Sequence, residues 1–172
     1  MGDNLLLSFI DIVGFYGPQI LFILSIFLLY DKYITLCIFL SGFFLNMIIN
    51  IILKYLLKEP RPNEDKRLFQ LQVNSGKYIN LNRYGMPSGH AQNVFYATLF
   101  IYYIFRDKWI TSFYLFISFI TLYQRVYYKF HSLNQVFWGS VIGLLVGFGF
   151  YVLNKRILKG YQHIKPDDNA PL

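Results

Sequence analysis

Five ionisable side chains stand out in an otherwise apolar chain: Lys54, Arg61, His90, Arg125 and His131. Each lies within or beside a long hydrophobic run, where such groups are expensive and tend to mark function. Clustered cations call for an anion. Two guanidiniums and an ammonium suit a phosphate, because guanidinium pairs its oxygens bidentately and ammonium adds a point charge. Taken singly, each cation could be a side chain snorkelling from a helix end. Lys58, Arg83 and Lys129 fit that bland reading; Lys54, Arg61 and Arg125 fit it poorly, since it leaves their coincidence with two histidines unexplained.

Two short stretches add chemistry to the charge. In MPSGH, Pro87 suits a first helical position, and Ser88, Gly89 and His90 then form the first turn of a helix. Free backbone N–H groups and the helix dipole favour an anion there, and Gly89 permits its close approach. In QRVYYKFHSLNQV, His131 and Gln135 are four residues apart and share a helix face. The Gln135 amide oxygen can accept from Nδ1–H of His131, which leaves Nε2 bare as a nucleophile needs. His90 is then placed to protonate a leaving oxygen. His131, His90 and Gln135 thus form the expected catalytic group, and Lys54, Arg61, Ser88, Gly89 and Arg125 the expected phosphate-binding group. No carboxylate cluster suits a divalent metal, and no third ligand suits zinc. Neither metal nor cofactor is expected.

The elements that must carry these residues are membrane helices. The chain has 172 residues, 55% of them hydrophobic and only 15% charged, against about 25% charged in a soluble domain. The apolar residues come in blocks long enough to cross a bilayer. Spans are expected over Leu5–Tyr30, Tyr33–Leu57, Pro87–Phe105, Trp109–Tyr128 and Ser132–Leu153. The first is expected to start through an interfacial turn or a kink at Gly17-Pro18, with a sixth span if residues before Gly17 also insert. The fold class is therefore an all-α polytopic bundle. Residues 1–154 read as one transmembrane domain, and 155–172 as a basic, then disordered tail.

The N-terminal run lacks a basic region and a cleavage site, and reads as retained. Cys37 reads as a small buried hydrophobe. LFQLQV, NSG and KYINL suggest a short hairpin in the connector between the second and third spans. The net charge of +7 is spread along a membrane chain, which points to anionic headgroups and not to nucleic acid. Gly42, Asn46, Asn50 and Lys54 recur every fourth residue, as do His131, Gln135, Gly139, Gly143 and Gly147. The first stripe lines the polar pocket or bonds to neighbouring helices, with packing the leading role for Gly42, Asn46 and Asn50, and the glycines of the second let a neighbouring helix approach closely.

With five spans, the N-terminus, residues 58–86 and residues 129–131 emerge on one membrane face. Residues 31–32, 106–108 and the tail emerge on the other. KYLLKEPRP, YGMPSGH and QRVYYKFH then converge on the first face. Lys and Arg in the short connectors and tail of the opposite face place that face in the cytosol, and the site in the lumen or extracytoplasmic space.

These three segments resemble the type 2 phosphatidic acid phosphatase superfamily, whose pattern is KxxxxxxRP, PSGH and SRxxxxxHxxxD. Lys54, Arg61-Pro62, Pro87-Ser88-Gly89-His90, Arg125 and His131 stand at the matching positions. The resemblance covers roughly residues 20–153. It implies a metal-independent membrane lipid phosphatase with a phosphohistidine intermediate, His131 as nucleophile and His90 as acid. Gln124 stands where the pattern has Ser, and Gln135 where it has Asp. RVYYKFHSLNQV and GMPSGHAQ are similar to the dolichyl diphosphate phosphatase branch, where Gln commonly occupies the last position. The implied substrate is a membrane lipid with a phosphate or diphosphate headgroup, in the endoplasmic reticulum or another cell membrane. A polyprenyl diphosphate leads. A phosphatidate phosphatase, a lipid phosphotransferase and a non-catalytic lipid-binding protein are the alternatives.

Overall fold

The computed structural model describes residues 2–62, 74 and 84–164. Among them are five helices: α1 (Gly2–Leu29), α2 (Tyr33–Leu57), α3 (Gly89–Phe105), α4 (Lys108–Tyr127) and α5 (Leu133–Ile164). The all-helical reading holds, and each expected span has its helix. Three stretches, Leu6–Leu29, Tyr33–Leu57 and Leu133–Gly160, are long and apolar enough to cross a membrane. Phe27, Ile48, Phe119 and Leu145 are among many large apolar side chains on the outside, as expected where hydrocarbon is the solvent. The expected hairpin over 68–81, apart from Asn74, and the tail beyond 164 lie outside the described residues.

α3 is the central helix and packs on each of the other four. Ala91, Val94, Tyr96, Ala97 and Phe100 on it are fully buried. A helix surrounded by protein can carry polar groups if each is bonded, and α3 does. Gln92 donates from Nε2 to the main-chain and side-chain oxygens of Asn46, both at 2.8 Å. It accepts from Asn50 at 2.8 Å, and Asn46 donates to Asn93 at 2.8 Å. Higher in the bundle, Tyr96 donates to the Phe39 carbonyl at 2.8 Å, and the hydroxyls of Thr98 and Ser118 meet at 3.0 Å.

The glycine stripe of α5 lies against α3. A Cβ at Gly139 would stand 2.5 Å from the Ser88 carbonyl oxygen, and one at Gly147 3.0 Å from that of Tyr96. At Gly143 the added atom would collide with the Gln92 backbone. Gly14 and Gly17 do the same for α1, where a Cβ would strike Gln124 and Thr121 of α4. These are close backbone approaches of the kind small residues allow in membrane bundles.

The structure departs from expectation in four places. Pro18 sits inside α1, which runs from Gly2 to Leu29 without an interfacial turn at Gly17-Pro18. α3 begins at Gly89 with Ser88 as its N-cap, so Pro87 precedes the helix. α5 runs about three turns beyond Leu153. Cys37 is exposed: on an outer helix face a small apolar side chain can meet lipid and need not turn inward.

Gly143→Ala should lower the thermal unfolding midpoint of the detergent-solubilised protein, with a cost of about 1–3 kcal/mol from overpacking. Gly149 has open space around its missing Cβ, so Gly149→Ala on the same helix should leave the midpoint unchanged or slightly raised. Equal midpoints for the two variants would contradict the close α3–α5 approach.

Candidate active site

Local turns bring the three motifs together. α2 ends at Lys58, which adopts a left-handed conformation (φ 51°) and donates its N–H to the Lys54 carbonyl. Pro60 and Pro62 follow, so the chain cannot continue as helix. Lys54 therefore occupies the last turn of α2, and the reversal carries Arg61 back over the same end of the bundle. α4 ends in a similar way. Lys129 has φ 57°, its N–H bonds the Val126 carbonyl, and the N–H of His131 bonds the Arg125 carbonyl at 3.1 Å. The five residues between Arg125 and His131 are thus one helix-ending turn that ties their two backbones together.

The resulting cavity, about 380 Å³, is lined by Lys54, Arg61, Gly89, His90, Arg125 and His131, with Asn50 and Asn93 on its polar floor. Met47, Ile51 and Tyr55 of α2 also line it while remaining exposed on the outside of the bundle. Six of the eight residues expected at a site therefore share one cavity. Of the other two, Ser88 is buried as the N-cap of α3, with its hydroxyl accepting from Ala91 N–H. Gln135 is buried behind His131.

The Gln135 contacts fix the histidine tautomer. Nε2 of Gln135 donates to Glu59 Oε1 and to the Pro60 carbonyl, both at 2.8 Å. Its Oε1 accepts the Ser132 N–H at 3.2 Å. With the amide so oriented, His131 Nδ1, 3.2 Å from Oε1, must be the protonated nitrogen. Nε2 is bare and takes a long contact from Arg61 Nη1 at 3.5 Å. Arg61 Nη1 also donates to the Phe130 carbonyl at 3.0 Å.

The second histidine and Arg125 are supported from α1. His90 Nε2 lies 3.1 Å from the Phe15 carbonyl. A carbonyl only accepts, so Nε2 carries the proton and Nδ1 is left for exchange. Gln124, fully buried, donates to Asp11 Oδ1 at 2.9 Å and accepts from Arg125 Nη1 at 3.3 Å. The Arg125 guanidinium lies 4.1 Å over the Phe130 ring. Its Nε is buried without an acceptor among the described residues, a donor that a phosphate oxygen can use. Asp11, Phe15, Glu59 and Asn93 were not singled out by the sequence reading. Asp11 interrupting an apolar run was the one visible signal.

His131 lies in the turn between α4 and α5. Burial, followed by the nearby charges of Arg61, Arg125 and Lys54, holds its ring well below the ordinary imidazole range. The unfolded ring takes a proton near pH 6.5 and the folded ring does not, so stability falls as pH drops below about 6.5. The slope from this one group is at most about 1.4 kcal/mol per pH unit. Thermal midpoints of parent and His131→Asn protein between pH 7.5 and 5 should show the shallower acid loss in the variant; parallel curves would contradict a buried neutral His131.

Comparison with known proteins finds relatives among lipid phosphatases. The chain is 30% identical to dolichyldiphosphatase 1 of Dictyostelium discoideum over 138 residues, 74% of this chain and 55% of the relative. It is 36% identical to the dolichyldiphosphatase of Saccharomyces cerevisiae over 122 residues, 64% of this chain and 48% of the relative. A lipid A 4'-phosphatase of Bacteroides thetaiotaomicron is 30% identical over 83 residues, 48% of this chain and 37% of the relative. The chain spans about half the length of the dolichyldiphosphatases it matches. No solved structure matches it. The sequence profile of the PAP2 superfamily matches residues 35–159, a stretch that contains every residue lining the cavity, and the chain belongs to that superfamily.

Proposed function

We propose that this protein is an integral-membrane, metal-independent lipid phosphatase that acts through a phosphohistidine, with a polyprenyl diphosphate as its substrate. The observation that carries the reading is the bare Nε2 of His131, fixed by the bond from Nδ1–H to Gln135, in a cavity with Lys54, Arg61 and Arg125. The names of the dolichyldiphosphatase relatives support the substrate class. The exposed Met47, Ile51 and Tyr55 at the cavity support a lipid, since a polyprenyl tail can lie against them while the headgroup meets the cations.

In this mechanism Nε2 of His131 attacks the terminal phosphorus. The bond from phosphorus to the bridging oxygen breaks as the N–P bond forms. His90 enters the step with a second proton, taken up from solvent at Nδ1, and gives that proton to the bridging oxygen of the departing polyprenyl phosphate while Nε2–H stays on the Phe15 carbonyl. Water then attacks the phosphohistidine, gives its proton to His90, and releases inorganic phosphate. Lys54, Arg61 and Arg125 balance the negative charge on the equatorial oxygens. Ser88 sets the start of α3, so that Gly89 and the helix N-terminus face the phosphate.

His90→Ala should slow phosphate release from a polyprenyl diphosphate by about 10²–10⁴, and His131→Ala should slow it at least as much, while both variants still insert and fold. Near-normal release by purified His131→Ala protein would sink the mechanism. EDTA should leave the parent rate unchanged; inhibition reversed by an added metal would count against it. A panel including phosphatidate and lysophosphatidate tests the substrate class.

The same reading places the cavity at the lumenal or extracytoplasmic surface of a multi-pass protein. In a Cys37→Ser background, a membrane-impermeant thiol reagent applied to sealed right-side-out vesicles should label a cysteine at Asn74 and miss one at Asn169. The reverse pattern would put the substrate headgroup in the cytosolic leaflet.

A further inference from the structure

Glu59 has no place in the mechanism above, yet its carboxylate is two hydrogen bonds from the nucleophile. Gln135 Nε2 donates to Glu59 Oε1 at 2.8 Å, and His131 Nδ1 donates to Gln135 Oε1 at 3.2 Å. The amide between them is held on all sides. Pro60 takes its second N–H, Ser132 N–H caps its oxygen, and a Cβ at Gly85 would stand 2.5 Å from the amide atoms. Glu59 is held too, because Gly85 N–H donates to its main-chain oxygen at 2.7 Å. The backbone oxygen of Gln135 takes the Ser88 N–H at 3.0 Å, so the chain is also joined to the start of α3.

A neutral amide in contact with the nucleophile ring can set its tautomer but brings no charge. A carboxylate behind the amide polarises it, since hydrogen bonds in series in a low-dielectric site strengthen one another. When His131 carries a phosphoryl group its ring becomes cationic, beside three cations already present. An anion two bonds away offsets that charge without standing in the cavity, where it would repel the substrate.

We propose that Glu59 is a positioning residue: its carboxylate acts through Gln135 to hold His131 as the Nδ1–H tautomer and to stabilise the ring cation during phosphoryl transfer. The second part rests on the phosphohistidine reading; the first does not. A mere loop staple predicts something different, because a glutamine at position 59 can still accept from Gln135 and keep the loop.

The test uses the full-length protein in detergent with farnesyl diphosphate, a short polyprenyl diphosphate. Glu59→Gln should lower kcat about 10- to 100-fold, the range found for carboxylates that orient metal-bound histidines, with KM within about twofold and an unchanged thermal midpoint. Gln135→Asp alone sets two carboxylates side by side and should be impaired. Combined with Glu59→Gln it returns one carboxylate, now directly on Nδ1, and the double variant should recover at least tenfold over Glu59→Gln. Full turnover in Glu59→Gln, or no recovery in the double variant, overturns the electrostatic role. The tautomer is read independently of turnover from the ring nitrogen resonances of histidine-labelled protein. The parent should show His131 protonated at Nδ1, and Glu59→Ala a mixture of tautomers. An unchanged spectrum in Glu59→Ala overturns the positioning role even if the parent releases no phosphate, an outcome that would itself count against the proposed function alone.

Discussion

The constraint on which the rest of the structure depends is the mutual repulsion of Lys54, Arg61 and Arg125 around one cavity. Like charges that share a cavity repel one another more strongly there than in water, so the three stay together only if a scaffold holds them or an anion joins them. The scaffold here is made of neutral groups at the cavity and carboxylates behind it. Arg61 is bonded to the Phe130 carbonyl, and Arg125 stacks on the Phe130 ring. Asp11 reaches Arg125 through Gln124, and Glu59 reaches His131 through Gln135. In both pairs a glutamine stands between the anion and the working group. The cavity keeps its positive field, and the compensating charge sits one side chain further out.

That arrangement gives a physical meaning to the two positions where this chain departs from the superfamily pattern. A direct aspartate at position 135 would orient the ring and supply charge in one residue. Here orientation belongs to Gln135, and the carboxylate that takes its amide N–H is that of Glu59. Gln124, at the other departure, is buried and turned toward Asp11, so it braces Arg125 and does not line the cavity. Position 11 precedes the stretch matched by the superfamily profile. α1 is nonetheless part of the site, because its Phe15 carbonyl takes the proton-bearing nitrogen of His90.

Rigidity follows from how closely the helices approach. The glycine stripe of α5 lets the α3 backbone come against it from Ser88 to Tyr96, which locks the start of α3 to the helix that follows His131. The ladder of Asn46, Asn50, Gln92 and Asn93 joins α2 to α3 below the cavity. Lys54 is one turn beyond Asn50 on the same face, so this ladder also sets its direction. Each amide of this ladder is bonded, which is what allows polar side chains to stiffen a membrane bundle.

The sequence by itself determined the helical class and the convergence of Lys54, Arg61, Gly89, His90, Arg125 and His131. Apolar blocks of membrane length are visible without coordinates, and alternation of spans assigns each motif to one end of the bundle. It also yielded the His131–Gln135 bond from their four-residue spacing, although His131 lies in the turn before α5 and not on that helix's face. Only the tertiary structure decided the rest. Glu59, Asp11 and Phe15 meet their partners across 76, 113 and 75 residues, distances over which no local period operates. Ser88 became a buried cap and Cys37 faced outward for the same reason. Which side of a helix is covered, and by what, depends on neighbours brought there by packing and not on the residues beside it in the chain.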